Sequence, residues 1–207
     1  EGVNLNGGYF TINGDLLHKE GVINCNKGKI IVNGSYIMEN VSDDSSSVDG
    51  YDVCYATLQM TDESEAIYVY GDIITHKIAD KCGFNVTKGA VNVSGNIDAD
   101  NGINLNLNYN ATLYLNGDST QYVRFGDCPI LNRLVAKRPL EREIVWTGDL
   151  YVNKLYSDIV IRPDHLNLKK VDLNKCCMTV NGLCGITNCE GVNLNGGYFT
   201  INGDLLH

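Results

Sequence analysis

The chain has 207 residues, 43% of them hydrophobic and 20% charged, with 22 glycines, 3 prolines and 8 cysteines. Its formal net charge of −9 and isoelectric point near 4.8 argue against a nucleic-acid partner, which would require clustered Lys and Arg facing phosphates. No run approaches the ~18 apolar residues of a membrane span, so no membrane insertion is expected; Glu1 opens no signal peptide, but a sequence that begins inside a repeat says nothing about its precursor.

The first element in the chain is also its last. EGVNLNGGYFTINGDLLH at Glu1–His18 returns without a substitution at Glu190–His207, an offset of 189 residues. Residues 1–189 therefore read as one unit and 190–207 as the identical start of the next.

A smaller period lies inside the unit. Relatives of FTINGDLLH align on Gly14, Gly34, Gly71, Gly95, Gly117, Gly148, Gly182 and Gly203, and four of the seven intervals are 20 to 24 residues, the length of one solenoid coil. Four places before the glycine stand Phe10, Ile30, Ile67, Val91, Leu113, Ile144, Met178 and Phe199. Two places before it stand Ile12, Val32, Val69, Val93, Leu115, Trp146, Val180 and Ile201. All sixteen are apolar and the residues between them are mixed, the period-2 mark of a strand with one buried face. Aligning them as one core ladder predicts a single inward file, each member contributing roughly 1.5 to 3 kcal/mol when buried.

After the glycine comes a polar residue, usually aspartate (Asp15, Asp72, Asp118, Asp149, Asp204), and then in most coils an apolar one (Leu16, Tyr36, Ile73, Ile97, Leu150, Leu205). Upstream a third ladder holds Val3 and Leu5, Ile23 and Cys25, Phe84 and Val86, Val171 and Leu173, Val192 and Leu194, often followed by a glycine corner such as Gly7-Gly8. Three short strands per coil with glycine corners predict an all-β fold, a parallel β-helix.

The coils at 1–38 are the cleanest. Residues 39–56, rich in Ser and Asp, read as an inserted loop; Asp43, Asp44 and Asp49 lack the spacing of a calcium loop, and a solvated loop is preferred. Further coils run from 82 to 126. The stretch 124–142, with two of the three prolines and many of the basic residues, reads as a second insert, a short helix or a basic loop.

The runs LQMTDESEAIYVYGDIITH (58–76), FNVTKGAVNVSGNIDA (84–99) and NATLYLNGDSTQYVRFGDCPILNRLVA (110–136) resemble the β-solenoid repeats of large secreted clostridial-type bacterial surface proteins. That resemblance implies a solenoid fold and a cell-surface or extracellular location. The cysteines depart from the family pattern.

Cys25, Cys54, Cys82, Cys128, Cys176, Cys177, Cys184 and Cys189 all lie within one unit. In an extracellular chain an even number favours disulfides, with all except Cys25 as candidates and no connectivity assigned; free thiols and a metal are the alternatives. The cluster CCMTVNGLCGITNC lacks paired C-x₂-C knuckles, so no metal or other cofactor is expected. Cys25 occupies a core rung and is expected to be a buried thiol.

A polysaccharide lyase or hydrolase site, of the kind parallel β-helices carry, would need carboxylates converging on a cleft. The regular aspartates recur with the coil, as turn preference dictates, and His18, His76, His165 and His207 form no constellation. The sequons at Asn33, Asn40, Asn85, Asn92 and Asn110 are what an asparagine-rich chain produces by chance, and the irregular outward positions exclude a threonine lattice for ice. The expected function is structural. Val3, Leu5 and Leu205 mark uncapped stacking ends, the partner is another copy of the unit, and the product is an extracellular fibre. The alternatives are an adhesin whose inserted loops contact a glycan, cell wall or host protein, and, last, a polysaccharide-active enzyme.

Overall fold

The computed structural model describes residues 2–39, 56–76, 83–99, 110–125, 130–136, 143–147, 149–157, 160–162, 165–172, 177–180, 184–185, 191–194 and 196–206. Strands come in short runs separated by corners, and among the described residues there is no helix. The first four coils hold three strands each: β1 (Gly2–Asn4), β2 (Tyr9–Ile12) and β3 (Leu16–His18); β4 (Val22–Asn24), β5 (Lys29–Val32) and β6 (Tyr36–Glu39); β7 (Thr57–Met60), β8 (Ala66–Val69) and β9 (Ile73–His76); β10 (Gly83–Val86), β11 (Lys88–Val93) and β12 (Ile97–Ala99). Then follow β13 (Asn110–Leu115) and β14 (Gln121–Phe125), β15 (Ile130–Ala136) and β16 (Glu143–Thr147), β17 (Asp149–Ser157) and β18 (Val160–Arg162), β19 (His165–Asp172) and β20 (Cys177–Val180). The chain closes with β21 (Cys184–Gly185), β22 (Gly191–Asn193), β23 (Tyr198–Ile201) and β24 (Leu205–Leu206).

All pairings are parallel, and the strands stack into three sheets: a first of four strands (β1-β4-β7-β10), a second of eleven opening on β2, and a third of nine running from β3 to β23. The fold is the predicted parallel β-solenoid. Parallel strands exposing one face inward require the interior to be filled by alternate residues. Ile30, Val32, Ile67, Val69, Val91, Val93, Leu113 and Leu115 are all buried at 1% exposure or less, as are Ile73, Leu58, Met60 and Phe84 from the other two sides.

The predicted single file is real over five coils and then divides. Ile12, Val32, Val69, Val93 and Leu115 stand in register on the second sheet, as do Phe10, Ile30, Ile67, Val91 and Leu113. Leu115 is followed there by Ala136, not Trp146. Ile144 and Trp146 lie on the third sheet against Gln121 and Val123, and Val180 pairs with Ile201 on that same sheet. The cause is β15. The stretch 124–142, expected to be an insert, contains a full rung instead: Leu131, Leu134 and Ala136 are buried and Arg133 is exposed. Arg133 stands between core positions, which disguised a strand as a short helix or basic loop. One extra strand between Gly117 and Gly148 moves every later element one side round the solenoid.

Along β15, β17 and β19 the register skips Asn132, Asn153 and Lys169, and in β15 the alternation breaks there, with Leu131 buried, Arg133 exposed and Leu134 buried. Each of these long strands is interrupted at that point, and the second part of β15 continues the second sheet from β13. The expected insert 39–56 lies almost wholly outside the described residues; Glu39 closes β6 and Ala56 is buried.

Candidate assembly edges and the turn ladder

The glycine and aspartate of each turn form a ladder that connects coils. Gly34 N–H donates to Gly14 O at 3.0 Å, Gly71 to Gly34 at 2.9 Å and Gly95 to Gly71 at 3.0 Å. The backbones approach so closely that a Cβ on Gly71 would stand 2.7 Å from the carbonyl carbon of Gly34 and 2.8 Å from its oxygen, with Ser35 Oγ also at 2.7 Å. Close approach, not left-handed backbone, fixes glycine at this position.

Beside the glycines, Asp15 Oδ1 accepts Ser35 N–H at 2.7 Å, Ser35 Oγ accepts Asp72 N–H at 3.1 Å, and Asp72 Oδ1 accepts Asn96 N–H at 2.6 Å. Asn96 Oδ1 then accepts Tyr122 N–H at 2.9 Å. These polar residues cap the next coil's turn, a use that accounts for their recurrence. A second ladder runs through asparagines: Asn33 Nδ2 donates to Asn13 Oδ1 at 3.1 Å, and Asn26 Nδ2 to Asn4 Oδ1 at 3.2 Å and to Asn6 Oδ1.

Two interior polar groups were not singled out from the sequence. Glu65, 1% exposed, accepts Lys27 N–H at 2.7 Å on Oε1, and Thr61 N–H at 2.5 Å and Asp62 N–H at 3.1 Å on Oε2. Its carboxylate is held by backbone donors at a corner where Asn26 and Lys27 both have positive φ. The signal was a glutamate in the column that holds Gly8, Gly28 and Gly89. The two residues it adds to this corner also displaced Leu58 and Met60 from the upstream ladder.

The other group is His18, 6% exposed, on the inner face of β3. Nε2 contacts Gly21 O at 2.9 Å, which can only accept, so Nε2 carries the proton and Nδ1 accepts from the Tyr36 hydroxyl at 2.8 Å. Tyr36 is fully buried and packs on Phe84 with ring centroids 5.1 Å apart. Burial lowers the His18 pKa from its ordinary 6.5 despite backbone hydrogen bonds acting the other way. The unfolded chain therefore takes up a proton near 6.5 that the folded chain refuses, and stability falls as pH drops from 6.5 towards the folded value. Urea titrations between pH 7 and 5 are expected to show this slope, and H18Q to lose part of it. An unchanged slope in H18Q would remove His18 as its source.

Among the cysteines, Cys25 is a buried thiol, as expected, its pKa pushed up to about 12 first by burial and then by the Glu65 charge. Cys184, expected to be a disulfide half, is also a buried thiol: it stands in register with Leu166 and Leu205 and is fully enclosed. Cys177 lies in β20 opposite Tyr198. Cys54, Cys82, Cys128, Cys176 and Cys189 lie outside the described residues. No group of three or more His, Cys, Asp or Glu gathers among the described residues.

The end coils carry the remaining expected residues. β1, β2 and β3 each end a sheet, as do β23 and β24. Val3 is 41% exposed and Leu5, Phe10, Ile12 and Leu16 are only partly buried against the core; at the other end Leu194 is 41% and Leu205 52% exposed, with Phe199 and Ile201 partly buried. The same residue types in inner coils, which have a coil on either side, are enclosed.

The two copies of the repeated segment have the same local form. Strands recur at Gly191–Asn193, Tyr198–Ile201 and Leu205–Leu206, Gly7 and Gly196 have φ of 81° and 82°, and the Gly8 N–H to Leu5 O bond recurs from Gly197 to Leu194. Their placement differs by one side. β1 lies in the first sheet and β22 pairs with β19 in the second; β2 lies in the second and β23 in the third. β3 and β23 are opposite ends of a nine-stranded sheet, eight steps apart, about 38 Å at the usual interstrand spacing. The chain matches no family model, no curated protein and no solved structure.

Proposed function

We propose that the chain is a structural module of an extracellular, cell-surface β-solenoid fibre that grows by coil stacking on coil. The observation that supports this is the repeated segment. In its first copy it is covered on one edge by β4, β5 and β6, and in its second copy on the opposite edge by β19, β20 and β21. Between them the two copies display both halves of a junction: Ile30 and Val32 on one side of the Phe-Thr-Ile strand, Met178 and Val180 on the other. An exposed coil presents unpaired backbone groups and apolar side chains, which favour adding another coil. Secretion and surface attachment rest on the resemblance to surface-protein repeats and on the acidic composition.

Gly14 gives the test. In inner coils a Cβ at this position would strike the preceding coil, whereas at Gly14 it meets nothing within 4 Å. G14A is expected to fold with stability within about 0.5 kcal/mol of the parent and to stop growth, because its methyl occupies the docking plane. Sedimentation velocity and negative-stain microscopy should show the parent chain forming rods that lengthen with concentration, in steps of about 43 Å, the nine strands that each added chain contributes to the third sheet, and G14A remaining short. A parent chain that stays monodisperse at every concentration, or a G14A variant that assembles equally well, would overturn the proposal.

A further inference from the structure

The outer face of the third sheet carries a groove of about 440 Å³, lined by side chains from four successive rungs. Its centre is built on β14. Gln121, Val123 and Phe125 point inward and are buried, so Tyr122 and Arg124 point out, about 7 Å apart along the strand. Tyr122 is 58% exposed, a ring the core does not use. Arg124 is paired in register with Asp98 on β12, its Nε 2.7 Å and its Nη2 2.6 Å from Asp98 Oδ1, and both side chains remain nearly half exposed. Thr147 stands beyond Arg124 on the next rung, and Asn96 flanks Tyr122.

We propose that this groove is a binding site for a neutral saccharide. An aromatic ring offers a flat apolar surface to the C–H face of a pyranose. Next to it stand a carboxylate, which only accepts hydrogen bonds, and a guanidinium, which only donates. A ligand that satisfies both needs adjacent atoms that donate and accept, and neighbouring hydroxyls on one ring do so. Charge narrows the choice further. Asp72 and Asp98 in the lining, on a chain of net charge −9, disfavour an anionic sugar, and the Arg124 cation disfavours a basic ligand. The mutual pair holds both groups in place before any ligand arrives, which reduces the ordering cost of binding. The site uses no inserted loop and is independent of whether units stack.

The test is saturation-transfer NMR on the 207-residue chain with a panel of neutral disaccharides (cellobiose, maltose, lactose and N,N′-diacetylchitobiose), with glycerol as the control. At least one disaccharide is expected to bind, with chemical-shift changes centred on Tyr122, Arg124 and Asp98. Y122A should weaken that binding about tenfold or more, and Y122F, which keeps the ring, should stay within about twofold. Mapping of the shifts on the parent chain stands whether or not Y122A folds. Binding of none of the four, shifts centred elsewhere, equal affinity in Y122A, or binding only of a cationic peptide added in their place would each overturn the proposal.

Discussion

Replacing Val32 by aspartate is expected to unfold the first coils. Val32 is fully buried, held in register between Ile12 and Val69. An aspartate there would either keep its charge in an apolar file or take up a proton and still leave polar oxygens without partners, a cost of several kcal/mol. Whole domains are stable by only about 5 to 15 kcal/mol, so most of the margin is at stake. Thr11→Asp, on the exposed outer face of β2, is the matched control and should change stability by about 0.5 kcal/mol or less. Guanidinium titrations of the two variants decide it: a V32D midpoint equal to the parent's would show that the residue does not face inward.

The second large effect is expected at Gly71. Alanine there places a methyl against the Gly34 carbonyl carbon at 2.7 Å and its oxygen at 2.8 Å, and both atoms belong to a backbone fixed by the turn ladder. Overpacking against an immovable neighbour should cost about 3 kcal/mol, and in a chain of this size the melting temperature should fall by roughly 6 to 12 °C. G14A, the same substitution in the end coil, should leave it nearly unchanged. If G71A melts with the parent, the coils are not stacked glycine on glycine.

What could be read from the sequence was whatever repeats with the coil. Ile30, Val32 and their equivalents announced the inward file because each coil places them at one distance from a glycine that its neighbour's backbone will not allow to change. The aspartates at 15 and 72 were rightly read as turn residues, although their hydrogen bonds reach the next coil's turn and not their own. The reading failed where a coil changed length. Ile130–Ala136 passed for a loop because prolines flank it and Arg133 interrupts its apolar residues, and that one missed strand carried Trp146 and Val180 to another sheet. Glu65 and the His18–Tyr36 pair escaped for a different reason. Each is a single departure from the repeat, and its meaning depends on which backbone amides or hydroxyls the neighbouring coil supplies. The groove at Tyr122 is of the same kind, since Asp98 and Arg124 lie 26 positions apart and meet only through the parallel register.

The one-side displacement between the two copies of the repeated segment has a mechanical meaning. A beam whose long strands, wide corners and surface groups all fell on one flank would be stiff in one plane and compliant in the plane across it. Units joined with this displacement would turn their softer flank to a new azimuth at each joint and return to the first bearing only after three, the number of sides. Averaged over many units, a rod built as proposed would resist bending equally in every direction and would present the Tyr122 groove all round its circumference.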